Sequence, residues 1–315
     1  MLPVYIVDAF SEQPFAGNQA AVVLISSDDG VSDDLRQKIA AEMQLSETSF
    51  VELDPAHAPA TSSGGDPFQQ CSHFRLRWFT PTTEVPLCGH ATLAAAAVLF
   101  KERSSAHTTL HFHTASGQLT VSLDAARSST SGAGGLWMQM RLPLSPATDP
   151  LPGPLAAGLE ALRAACVGEL QVARTAFAAR NRLNYLVLQL QDGATREELE
   201  ALTPDFTAMQ AACSREHVSG VIVTCRGGES GYDILSRFFG PWMGIPEDPV
   251  TGSSHAVLGP YWASLLGKGT SAETPLLARQ CSRRGGEMSV MVDAGAGQVV
   301  LSGPAAVVMA GQLRL

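Results

Sequence analysis

Glu47 stands where a helical pattern gives way to an apolar strand, and a carboxyl group held there is a candidate proton carrier. Taken alone it reads as a solvated junction residue or a cap for nearby amides, the common states of glutamate. Burial in a cleft would raise its pKa toward working pH, as proton transfer requires. Gly89-His90 opens a second, almost wholly apolar helix, and Gly252-Ser253 opens another. Uncapped amides at such helix starts attract anions, and glycine lets a ligand approach the backbone. His90 could relay protons or bond a substrate, where a lone histidine at a helix start otherwise serves as a cap or satisfied core group. Asp248 adds a second carboxyl, or simply the turn that Asp-Pro sequences favour.

Other residues carry less. Cys88 precedes Gly89, and Thr251 precedes Gly252 at the matching place, so a mechanism using two facing thiols is excluded and Cys88 reads as packing. His111 and His113 share one strand face, but with no third ligand nearby in sequence no metal is expected there. The chain has no G-x-G-x-x-G, P-loop, H-E-x-x-H or G-x-S-x-G motif.

These residues sit in 315 positions, of which 45% are hydrophobic and 16% charged, enough apolar material for two cores. The net charge of -9 and the scattered Lys and Arg argue against nucleic acid or an anionic membrane surface as a partner, while a small anionic substrate at a helix start stays compatible. No signal peptide is expected at Met1-Leu2-Pro3, and no apolar run is long enough for a membrane helix. The six cysteines form no C-x-x-C pair and read as reduced thiols of a cytoplasmic protein.

The elements that must hold the candidates are short. Val4–Phe10 and Ala20–Ile25 read as strands joined by a turn at Gly17-Asn18. Ser32 caps a helix whose Leu35, Ile39 and Met43 share a face, and Thr48–Leu53 returns as a strand. Pro55–Gln70 reads as a polar, mobile loop without chemistry. Strands follow at His73–Thr80, in a hairpin over Thr109–Asp124, and at Leu136–Pro143. In the second half a helix is predicted at Leu155–Ala165, with strands at Leu183–Leu190, Val218–Cys225 and Tyr232–Phe239.

The chain repeats itself. Arg77-Trp78-Phe79-Thr80-Pro81 matches Arg237-Phe238-Phe239-Gly240-Pro241, 160 residues later. Glu84-Val85-Pro86-Leu87-Cys88-Gly89-His90 matches Glu247-Asp248-Pro249-Val250-Thr251-Gly252-Ser253 in the same order. Both stretches run from strand through a proline loop to a glycine and an all-apolar helix, which must be buried. The pattern implies a duplicated domain, an α+β fold with each half a mostly antiparallel, strongly curved sheet around a central helix. The Ser/Gly-rich stretch Arg127–Gly135 marks the boundary, giving halves 1–130 and 131–298, with strands at about 299–315 expected to return to the first.

Together, Gly17-Asn18, Leu45-Ser46-Glu47-Thr48-Ser49-Phe50-Val51, Phe79-Thr80-Pro81, Glu84 through Thr92 and Glu247 through Ser253 resemble the PhzF family of phenazine-biosynthesis-like proteins, most closely its animal-type members, also called MAWD-binding proteins. The resemblance covers nearly the whole chain. It implies a diaminopimelate-epimerase-like fold, two pseudo-twofold domains with one site in the cleft between them, and cofactor-free proton transfer. It implies that Glu47 is the general acid/base, that Asp248 and His90 orient or relay, and that Asn18, Gly89, Gly252 and Ser253 bind substrate. The expected function is isomerisation by proton transfer at carbon in a small carboxylate-bearing metabolite, without cofactor or metal, in a chain that could pair as a homodimer. The alternative is a catalytically silent small-molecule- or protein-binding chain.

Overall fold

The computed structural model describes residues 1–26, 30–57, 65–128, 136–179, 183–271 and 273–315. These form two compact units, Met1–Arg141 with Ser302–Leu315, and Leu142–Leu301. The predicted boundary stretch lies mostly outside the described residues. The division comes later, after Arg141, because the strand that follows the stretch still pairs with the first unit's sheet through Val121↔Met140.

The first unit runs β1 (Leu2–Ala9), β2 (Asn18–Ile25), α1 (Asp33–Met43), β3 (Glu47–Leu53), α2 (Pro67–Gln70), β4 (His73–Phe79), β5 (Glu84–Val85), α3 (Gly89–Ala97), β6 (Thr109–Thr114), β7 (Gly117–Leu123), α4 (Ala125–Ser128) and β8 (Trp137–Pro143). Ser32 caps α1, its hydroxyl accepting the Leu35 N–H at 3.2 Å, as the sequence indicates. The end of the chain, in the long last strand Gln298–Leu313, pairs with β1 from Leu2↔Leu313 to Ala9↔Ala305.

The second unit runs α5 (Gly153–Val167), β9 (Val172–Ala178), β10 (Tyr185–Leu190), α6 (Arg196–Glu200), α7 (Phe206–Ala212), β11 (Gly220–Arg226), β12 (Ile234–Gly240), β13 (Ile245–Asp248), α8 (Gly252–Leu266), β14 (Leu276–Gln280) and β15 (Gly286–Asp293), and leads into the last strand, β16.

The repeat read from sequence extends to the pairing. In the first unit β1–β2 is antiparallel, β2–β3 parallel, β3–β4 antiparallel, β4–β6 parallel and β6–β7 antiparallel. In the second, β9–β10, β10–β11, β11–β12, β12–β14 and β14–β15 follow the same alternation. Each fourth strand carries a short partner ahead of a buried helix: Phe79 opposes Glu84 on β5, and Phe239 opposes Glu247 on β13.

α3 is buried along its length and packs on β1, β2 and β3, so the all-apolar pattern is a core helix. β4 and β6 alternate instead. Phe74, Leu76 and Phe112 face the core, while His73, Arg75, His111 and His113 take the other face. No helix among the described residues is long and apolar enough to cross a membrane.

Candidate active site

β3 builds the first part of the site. Gln44 leaves α1 in the left-handed conformation (φ 52°) and turns the chain into β3, whose first residue is Glu47. Parallel pairing sets Glu47 against Ala20, two residues beyond Asn18 at the start of β2. Two residues further along β3, the Ser49 hydroxyl donates to the Ala91 carbonyl at 3.0 Å and ties down the first turn of α3. The Thr92 hydroxyl donates to the Cys88 carbonyl at 2.6 Å and closes that turn.

One strand thus fixes both Glu47 and the helix start that carries His90. His90 Nε2 lies 3.2 Å from Glu47 Oε2, and its Nδ1 lies 3.4 Å from the Cys88 sulfur. All three side chains are buried. The contact between Nε2 and Oε2 is close but not aligned as a hydrogen bond, and neither atom has another hydrogen-bond partner among the described residues. A buried carboxylate oxygen and imidazole nitrogen without aligned partners are costly in a finished core and expected where a substrate completes the set.

The electrostatics differ from the sequence expectation. Burial pushes the Glu47 pKa up, but the charge of His90 and polar contacts from His90, Ser46 and Cys88 outweigh it, so Glu47 sits below the ordinary carboxylate value. Burial disfavours a charged His90, yet the Cys88 sulfur and the Glu47 carboxylate more than offset this and hold its pKa well above ordinary imidazole. The Cys88 thiol is itself pushed up, by burial and then by Glu47, so it is neutral near pH 7, and Glu47 is the charge that keeps the proton on His90. The pair rests as carboxylate and imidazolium, a base beside an acid. The same three groups offer donor atoms within 4.8 Å of one another, so they could also hold a metal ion.

In the second unit, Asp248, Gly252 and Ser253 lie where β13 gives way to α8. Asp248 ends β13 and accepts the Thr251 hydroxyl on Oδ2 at 2.6 Å. Gln280, buried on β14, holds this loop from behind. Its Nε2 donates to the Asp248 carbonyl at 2.6 Å, and its Oε1 accepts the Thr251 N–H at 2.9 Å. Ser253 lies 3.0 Å from the Tyr185 hydroxyl, whose pKa burial pushes up to about 12. His255 Nδ1 sits 2.8 Å from the Thr251 carbonyl, at the repeat position of Thr92, and burial lowers its pKa to about 4, so it is a neutral brace. Gln280 and Tyr185 were not read from the sequence, because nothing local marks a residue brought in from a distant strand.

Neither α3 nor α8 has a side-chain cap among the described residues. Neither opening glycine is required by the fold. A Cβ on Gly89 would lie 3.8 Å from Met140, and one on Gly252 would lie 3.5 Å from Leu301, both ordinary contacts, and neither residue has positive φ. Each uncapped start, opened by a glycine that packing does not demand, suits the approach of an anion.

The family model for phenazine biosynthesis-like proteins matches residues 7–311. The chain belongs to the PhzF family. A phenazine biosynthesis-like domain-containing protein of Bos taurus is 41% identical over 317 residues, 99% of each chain. An uncharacterized isomerase of Pseudomonas aeruginosa is 39% identical over 314 residues, 100% of this chain and 99% of the relative. The crystal structure of a PhzF-family phenazine biosynthesis protein from Enterococcus faecalis has a TM-score of 0.77 at 33% identity, covering 100% of this chain and 99% of that one. The PhzF-family chain has the diaminopimelate-epimerase-like α+β fold that its motifs imply.

Gly252→Ala should leave stability unchanged or raise it by about 0.5–1 kcal/mol, since alanine is the better helix former. Binding of a simple dicarboxylate such as malonate, read by calorimetry, should weaken because the methyl group blocks the helix start. Equal malonate affinity in parent and variant would remove Gly252 from the site.

Proposed function

We propose that this chain is a cofactor-independent isomerase that moves a proton at carbon in a small carboxylate-bearing metabolite. The observation that carries the reading is the buried, ionised Glu47–His90 pair, whose facing atoms Oε2 and Nε2 have no aligned hydrogen-bond partner among the described residues. The isomerase name of the Pseudomonas aeruginosa relative supports the class.

Glu47, a carboxylate at neutral pH, takes the proton from the carbon beside the substrate's carboxyl or carbonyl group. The electron pair moves onto that group's oxygen. Helix-start amides at Gly89 and Gly252, with the Ser253 hydroxyl, stabilise the developing charge. The His90 imidazolium or the newly protonated Glu47 returns a proton to carbon at the new position or face, which completes the isomerisation. Asn18 and Asp248 orient the substrate. An acid, a base and an anion pocket suffice for this chemistry, so no cofactor is invoked.

The test is isotope exchange together with a pH profile. A turned-over substrate in heavy water should acquire deuterium at the reacting carbon. The base must be ionised, so kcat/KM should hold as pH falls and drop only below the ordinary glutamate value of about 4.3, because the Glu47 pKa is depressed. The acid must be protonated, so kcat/KM should hold above the ordinary histidine value of about 6.5 and fall only at the raised His90 pKa. A rate rising through pH 6–7 as a single carboxylate deprotonates would contradict the ion pair, and isomerisation without solvent exchange would mean that Glu47 returns the proton it removed and would rule out His90 as the donor to carbon.

A further inference from the structure

Four of the eight histidines, drawn from three separate stretches of the chain, gather at the outer face of the first unit's sheet. His73 lies on β4 and His111 and His113 on β6, and parallel pairing sets His73 against His111 and Arg75 against His113. The fourth, His57, comes from the turn after β3. It falls in the stretch read from sequence as a loop without chemistry, of which residues 58–64 lie outside the described residues. The expectation that His113 has no further ligand nearby is overturned, because strand pairing and this turn bring in donors that are distant along the chain.

Asp54 organises the turn. It is buried, and its own N–H donates to the His73 carbonyl at 3.3 Å. Its carbonyl accepts the His57 N–H at 2.9 Å, and Oδ1 accepts the Ala56 N–H at 3.2 Å. Its remaining oxygen, Oδ2, is left facing the imidazoles, 3.0 Å from His57 Nδ1 and 3.5 Å from His113 Nε2. His73 Nδ1 lies 3.2 Å from His113 Nε2. His57 stacks on His73 with ring centres 4.0 Å apart, and the donor atoms of His57, His73 and His113 all fall within 4.8 Å of one another.

The geometry points to a binding site for one first-row divalent transition ion, of the zinc class, held by His73, His113 and His57 with the Asp54 carboxylate. A tetrahedral ion with bonds of about 2.0–2.1 Å places its donor atoms roughly 3.3 Å apart. The His73–His113 and His113–Asp54 separations already match that edge. His57, half exposed on its turn, reaches the ion by rotating its ring. Imidazole and carboxylate are the donor types such ions select, and the buried Asp54 also fits the carboxylate that orients a ligating histidine. Ion binding here would clamp the turn after β3 to β4 and β6. The set shares no residue with Glu47, Cys88 and His90.

The test is calorimetric titration of chelator-treated full-length chain with Zn²⁺ at pH 7.5, and of the same chain with Co²⁺ while visible absorption is recorded. One ion per chain should bind, Co²⁺ should give the intense visible bands of tetrahedral coordination, and zinc should raise the melting temperature until chelator is added. His73→Asn and His113→Asn, both substitutions at the surface, should each weaken zinc at least tenfold with unchanged circular dichroism. His217→Asn should bind as the parent does. Absence of saturable binding to the parent overturns the site. So does undiminished affinity in both His73→Asn and His113→Asn. Loss of binding in Cys88→Ala with retention in His113→Asn would place the ion at the Glu47 cluster and refute the assignment equally.

Discussion

Glu47→Gln should lower kcat on an established substrate by ~10²–10⁴-fold, the usual contribution of a general acid/base group. That corresponds to about 3–5 kcal/mol of transition-state stabilisation. Glutamine preserves shape and can still bond a substrate, but it takes no proton from carbon near neutral pH, so substrate affinity should change far less than kcat. Folding should survive as well. Removing one member of a buried pair is damaging when the other stays charged. Here the His90 proton depends on the Glu47 carboxylate, so His90 can lose it and remain as a neutral ring. The alkaline limb assigned to His90 should accordingly move down in pH. Asp248→Asn, which keeps an acceptor for the Thr251 hydroxyl, should reduce the rate less than Glu47→Gln. Near-normal turnover in Glu47→Gln would refute the base, and a larger loss in Asp248→Asn would transfer that role to Asp248.

The parts of this molecule that were legible in the sequence are those written within a dozen residues. Ser32 and the face of Leu35, Ile39 and Met43 specify α1, and the glycine followed by an all-apolar run specifies α3 and α8. The repeated Arg-x-Phe and Glu-x-Pro stretches disclosed the duplication, because each half must rebuild the same strand, short partner strand and buried helix. What long-range pairing decides was not legible. The parallel β2–β3 and β4–β6 contacts join segments separated by helices, and only they bring His57, His73 and His113 together. Glu47 and His90 were each identifiable, one at a strand start and one at a helix start. Their separation of 3.2 Å was not, and that distance reverses the direction in which the Glu47 pKa moves. β9 and β14 escaped notice for a related reason: β9 (Val172–Ala178) interrupts its apolar residues with Arg174 and Thr175, and β14 is only five residues long.

The duplication also sets up a stability comparison within one molecule. Arg77 and Arg237 are repeat equivalents. Each forms a two-pronged ion pair with the glutamate of the short partner strand, Glu84 or Glu247, through Nε at 2.8 and 2.7 Å. Each also lies over a phenylalanine, Phe79 at 5.2 Å and Phe239 at 4.9 Å. Their surroundings differ. The Arg77 and Glu84 side chains are 30% and 38% exposed, and Arg77 spreads its remaining bonds to the exposed Asp33. The Arg237 side chain is 8% exposed, and its Nη1 donates to the carbonyls of Leu199 at 3.1 Å, Glu200 at 3.3 Å and Leu202 at 2.7 Å, which close the turn after α6. Arg237→Met therefore leaves a half-buried carboxylate unpaired and strands buried carbonyls, a loss of about 3–5 kcal/mol. Arg77→Met, in water-screened surroundings, should lose no more than about 1 kcal/mol. Chemical denaturation of the two variants beside the parent measures both numbers. The expected order is a large shift of the transition for Arg237→Met and a small one for Arg77→Met. Equal losses would mean that the shared ion-pair geometry, rather than burial and the carbonyl contacts, sets the stability of this motif.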